Sequence, residues 1–115
     1  MRRGSEVAAK VLVVDDDPMI LESIALMLDS AGYLVSRATS GEECVRIALS
    51  ALPDLILLDV RLPGMDGNET AAALSHNAES RNIPIVMMTG YMEDADRIKA
   101  LRGRRGFPQE APLDG

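Results

Sequence analysis

The chain has 115 residues, 47% of them hydrophobic and 26% charged, and a net charge of −6. That length supports one domain with a modest core, and the composition is ordinary for a globular protein. The acidic balance argues against a bare nucleic-acid-binding surface, no apolar stretch approaches membrane-spanning length, and a single cysteine, Cys44, excludes an internal disulfide.

With no Trp, one Phe and two Tyr, the core must be aliphatic. Residues 1–9 read as a disordered lead. They start basic, with Arg2 and Arg3, but open no signal-peptide core, so a cytoplasmic location is expected. Val11-Leu12-Val13-Val14 has the continuous apolar pattern of a strand buried on both faces. Asp17 can cap the helix that follows, and Pro18 suits its first turn. Ile20, Ile24, Met27, Leu28 and Ala31 then recur at helical spacing, and Gly32 ends the helix. A short strand is expected at 33–38. Ser40 caps a helix over 41–50, with Glu42 and Glu43 at its positive end. Cys44 on that helix reads as a small buried apolar side chain.

Pro53 breaks the chain before Leu55-Ile56-Leu57-Leu58, the central strand. Residues 61–67 form a Gly- and Pro-rich loop, in which Asp66 serves turn chemistry beside Gly67 and caps an Ala-rich helix over 68–77. His76, near that helix end, reads as a solvated surface histidine. A fourth strand is expected at 83–88, with Met87 and Met88 as strand or core residues, and a fourth helix at 91–101. Strands and helices alternate with short connections, which implies a doubly wound α/β fold with a parallel sheet and right-handed crossovers.

Three strands end in polar groups: Asp15-Asp16-Asp17 after the first, Asp59 at the end of the third, and Thr89-Gly90 after the fourth. In an open parallel sheet those ends share one edge, where such sheets bind ligands. Carboxylates meeting a hydroxyl there suggest a Mg²⁺ site with a carboxylate available to accept a phosphoryl group.

Asp15-Asp16, the run Leu57-Leu58-Asp59 with Leu62-Pro63-Gly64-Met65-Asp66-Gly67 after it, and Met88-Thr89-Gly90 together resemble the receiver domain of bacterial two-component response regulators. The resemblance covers about residues 10–102. It implies a flavodoxin-like fold of strand order 2-1-3-4-5. It also implies phosphoryl transfer from a sensor histidine kinase or phosphotransfer protein to Asp59, in a signalling domain rather than a turnover enzyme. Asp16, Asp59 and the backbone carbonyl of Arg61 would ligate Mg²⁺, Asp15 would act mainly through a bound water, and the Thr89 hydroxyl would bind a phosphoryl oxygen and start the switch.

Residues 103–115 depart from this pattern. The family continues with a Gly-Ala-Asp-like turn, a fifth strand ending in Lys-Pro, and a fifth helix. Here no Lys follows Lys99, Pro108 and Pro112 interrupt the stretch, and no apolar strand is visible, so a disordered tail is expected. With synonymous codons chosen freely, reading residues 103–113 one base forward gives Gly-Ala-Glu-Gly-Phe-Leu-Lys-Lys-Pro-Leu-Trp, which restores turn, strand, Lys and Pro in order. A frameshift is therefore expected, and codons incompatible with the alternate frame would exclude it. Without a normal fifth strand and helix, an apolar edge is exposed, favouring a homodimer or domain-swapped dimer and impairing phosphorylation. The alternative function is a non-phosphorylated pseudo-receiver acting as an interaction or oligomerisation module. An aspartyl-phosphate phosphatase is disfavoured, because Arg61 stands where those enzymes place a second Asp. No membrane contact and no direct nucleic-acid binding are expected.

Overall fold

The computed structural model describes residues 8–88. The expected fourth helix, Thr89 and the stretch 103–115 lie outside the described residues. Seven elements alternate: β1 (Lys10–Val14), α1 (Pro18–Ser30), β2 (Leu34–Ala38), α2 (Gly41–Ala51), β3 (Leu55–Asp59), α3 (Gly67–Ser75) and β4 (Ile85–Met88). The strands form one parallel sheet in the order β2-β1-β3-β4. This is the first four-strand part of the expected doubly wound order.

Because strand side chains alternate between two covered faces, β1 is apolar from Val11 to Val14 and β3 from Leu55 to Leu58. Val11, Val13, Leu55 and Leu57 point to one face, where they pack with Leu21, Ile24 and Leu28 of α1 and with Tyr33 and Met88. Leu12, Val14, Ile56 and Leu58 point to the other face and meet Cys44 and Ala48 of α2, Leu62, and Leu74 of α3. Burial pushes the Cys44 thiol up to about 12, consistent with its place in an aliphatic layer.

The helix boundaries follow local chemistry. Asp17 Oδ1 accepts from Met19 N at 2.9 Å, and Pro18 stands at the first helical position. At the other end of α1, Tyr33 N donates to Leu28 O at 3.1 Å and Gly32 N to Asp29 O at 3.0 Å, with Gly32 at φ 98°. This is the Schellman pairing, and Leu28 and Tyr33 also meet in the core, as that motif favours. Ser40 Oγ caps α2 by accepting from Glu43 N at 3.1 Å. Asp66 and Glu69 form a reciprocal capping box at α3.

Five sequence expectations need adjustment. The buried stripe of α1 is Leu21, Ile24, Ala25 and Leu28, whereas Met27 is 39% exposed and Ala31 is the C-cap. The helix carries apolar residues on more than one side, so periodicity alone did not fix the inward face. β2 begins at Leu34, because Tyr33 N is taken by the α1 terminus. β4 begins at Ile85: Ile83 N donates to Ser80 O in a turn, and Pro84 has no N–H. α2 runs to Ala51, and α3 spans Gly67–Ser75, where Asn77 Nδ2 and Ser80 Oγ donate to carbonyls of its last turn, Ala73 O and Leu74 O. His76 is exposed at its C-cap, as expected. Among the described residues, no helix is long and apolar enough to cross a membrane.

Candidate metal centre

β1 and β3 are neighbours in the middle of the sheet, and Val14 registers with Leu58. Continuing that register by one residue sets Asp15 beside Asp59 at the C-terminal edge. Asp15 is 1% exposed and Asp59 5% exposed, while Asp16, one residue further, is exposed. One carboxylate oxygen from each of Asp15, Asp16 and Asp59 lies within 4.8 Å of the others. The structure thus brings three of the expected site residues, Asp15, Asp16 and Asp59, into one cluster.

The loops hold these carboxylates in similar ways. Asp17 N donates to Asp15 Oδ1 at 3.0 Å, and Arg61 N donates to Asp59 Oδ1 at 3.0 Å. Each loop turns back onto the acid two residues before it, in the manner of an Asx turn. Asp15 N in turn donates to Ala38 O at 3.2 Å, which ties the start of its loop to the end of β2. On the other flank, Met88 registers with Asp59, and Met88 O accepts from Val60 N at 2.9 Å. Thr89 follows Met88 in sequence but lies outside the described residues. Asp17 and Asp66 serve as the helix caps expected of them.

Two ionised carboxylates at about this separation repel by about 3 kcal/mol at an effective dielectric near 20. Two of the three are buried, so water screens them poorly. Several carboxylate oxygens converging within a few ångströms match the donor set of a hard divalent cation such as Mg²⁺ or Ca²⁺. Among the described residues no soft ligand joins the cluster: Cys44 packs in the core, and Met88 is fully buried.

Sequence reasoning missed the close approach of Gly67 to the Asp59 backbone. A glycine in a turn-rich loop reads as turn chemistry, and only the fold reveals what faces its missing side chain. The buried Thr70 and Ser80 were also missed; their hydroxyls donate to Asp66 O and Leu74 O, each at 2.7 Å.

A doubly wound parallel sheet with an acidic cluster at its C-terminal edge is the arrangement expected of a receiver domain. The chain belongs to the response regulator receiver domain family, whose model matches residues 11–105. It is 31% identical over 100 residues to PilH of Pseudomonas aeruginosa, covering 86% of this chain and 83% of PilH. Several other curated relatives are longer, and the chain spans only 24% to 42% of their length. The chemotaxis response regulator CheY4 of Vibrio cholerae superposes with a TM-score of 0.77 at 27% identity, over 84% of this chain and 98% of that one. The receiver domain of the Pseudomonas aeruginosa sensor histidine kinase PA1611 superposes with a TM-score of 0.74 at 25% identity, over 84% and 96% of the two chains. That structure has a magnesium ion coordinated in its active-site cleft.

Proposed function

We propose that Asp59 accepts a phosphoryl group from a phosphohistidine of a sensor histidine kinase or phosphotransfer protein, and that the domain signals by this modification rather than by turnover. The observation that carries the reading is the convergence of Asp15, Asp16 and Asp59 within 4.8 Å at the end of the two central strands. In the transfer, an Asp59 carboxylate oxygen forms a bond to phosphorus as the phosphorus–nitrogen bond of the donor breaks. The electron pair leaves on the imidazole nitrogen, which then takes a proton.

Asp16, Asp59 and the backbone carbonyl of Arg61 would hold Mg²⁺, with Asp15 acting mainly through a water. Bound there, the ion neutralises charge on the phosphoryl oxygens. The Arg61 amide keeps Asp59 oriented through its hydrogen bond to Oδ1. Asp17 N does the same for Asp15. The Thr89 hydroxyl is assigned to a phosphoryl oxygen, as the switch group.

A second reading is a non-phosphorylated module that works by contact. The lack of any Lys after Lys99 in these 115 residues favours it, since a phosphoryl site gains from a cation. The intact carboxylate cluster opposes it. Treating the chain with acetyl phosphate and Mg²⁺, beside an Asp59→Asn control, separates the two. Acid-labile phosphate on the wild type alone supports the phosphoacceptor, and no phosphate on either supports the contact module.

A further inference from the structure

The residue that begins α3, Gly67, is buried and sits directly against the backbone that carries Asp59. Gly67 N donates to Val60 O at 3.0 Å. A Cβ added to Gly67 would lie 2.6 Å from Asp59 O and 2.7 Å from Val60 Cα. Ordinary van der Waals contact begins at 3.4 Å, so a methyl group here overlaps by most of an ångström. Both atoms are backbone, and no rotamer change can clear them.

The need for glycine is spatial rather than conformational. The described glycines with positive φ are Gly32 and Gly64, and Gly67 is not among them. Gly64, in the same loop, is the reverse case: it has φ +71° and nothing within 4 Å of its missing Cβ. One glycine therefore lets the loop turn, and the other lets a helix touch the strand end. The first turn of α3 is held from its other side as well, because a Cβ on Gly41 of α2 would meet Thr70 Oγ1 and, at 2.8 Å, Met65 O. With α2 behind it, α3 has little room to retreat from a side chain at Gly67. The strain then falls on the Asp59–Val60 peptide.

We propose that Gly67 is a positioning residue for the carboxylate cluster. By seating α3 on the Asp59–Val60 backbone, it fixes where the Asp59 carboxylate stands relative to Asp15 and Asp16. The inference rests on reading that cluster as a divalent-cation site. Metal–ligand distances in a formed site fall within about 0.2 Å of their usual values. A shift of the Asp59 backbone on the scale of the overlap exceeds that range.

The test is Mg²⁺ titration by calorimetry on the 115-residue chain, comparing wild type, Gly67→Ala and Gly64→Ala, with urea unfolding of each. Gly64→Ala forces a side chain into a left-handed conformation and costs stability without approaching Asp59. It therefore reports what general loosening does to the site. Gly67→Ala should weaken Mg²⁺ binding about tenfold, in the range seen when groups supporting metal ligands are altered. Gly64→Ala, which meets no atom within 4 Å, should lose clearly less than that tenfold. Should Gly67→Ala unfold in plain buffer, the titrations are repeated in trimethylamine N-oxide, which favours the compact state. Wild-type affinity in Gly67→Ala, or equal weakening in both variants, overturns the proposal while leaving the metal reading intact. A wild type that binds no Mg²⁺ overturns the metal reading itself, and the proposal with it.

Discussion

The Arg61 amide donates to Asp59 Oδ1 at 3.0 Å, so the loop leaving β3 folds back onto the carboxylate that ends the strand. An asparagine could accept the same hydrogen bond without the negative charge. Asp59→Asn therefore isolates charge from geometry. It removes like-charge repulsion from a buried position beside Asp15, so the metal-free protein should gain about 1 kcal/mol of stability. The same change removes a proposed Mg²⁺ ligand. Urea unfolding with and without Mg²⁺ should show a wild type stabilised by the ion and a variant that no longer responds. An Asp59→Asn protein stabilised by Mg²⁺ as strongly as wild type would place the ion elsewhere.

Cys44 gives the domain a pH dependence at high pH. Burial raises its thiol from 9.0 to about 12, so the unfolded chain loses the proton first. The stability contributed by the neutral buried thiol is complete below pH 9 and is lost as the pH rises towards 12. Within that window the slope attributable to this residue approaches about 1.4 kcal/mol per pH unit. Cys44→Ala removes the titrating group, so its unfolding free energy should fall less steeply with pH than that of wild type. Parallel curves for the two proteins would rule this account out.

Much of this architecture was legible because its signals are local. Asp17, Ser40 and Asp66 cap helices with the hydrogen bonds their side chains suggest, and the apolar runs of β1 and β3 become the buried centre of the sheet. The acids at the ends of those runs come together because parallel strands share one C-terminal edge. The inward face of α1 is only partly legible from its periodicity, for a physical reason. Met19, Leu26 and Met27 are exposed apolar residues on the same helix as Leu21, Ile24 and Leu28, so the hydrophobic signal runs around the helix. The contact between Gly67 and Asp59 was invisible because it joins a helix start to a strand end through space that only the fold defines.

Leu52 is the described non-glycine residue with positive φ, at 48°. It closes α2 in the left-handed conformation, with its N–H donating to Ala48 O at 3.0 Å, and its side chain is 47% exposed. A leucine there bears the steric cost of the left-handed region while burying only part of its side chain. Leu52→Gly supplies the residue usually found at this kind of helix end. Relief of the left-handed strain, reduced by the larger chain entropy of glycine, should raise stability by about 0.5–1 kcal/mol. Thermal unfolding checks it, and a lower midpoint for Leu52→Gly would mean that the leucine side chain contributes more than its exposure suggests.

At the far side of the sheet, β4 pairs with β3 alone among the described residues. Its sequence, Ile85-Val86-Met87-Met88, is apolar throughout, and three of these side chains are only partly buried. An apolar strand edge of this kind readily takes a strand from another molecule. The chain should therefore dimerise through β4, directly or by exchange of a segment. Val86→Lys would place a charge on a partly buried strand residue, a common natural guard against edge pairing, and should shift the population towards monomer. Light scattering of the two proteins decides it: a wild-type monomer of high thermal stability would show that this edge is already satisfied within one chain.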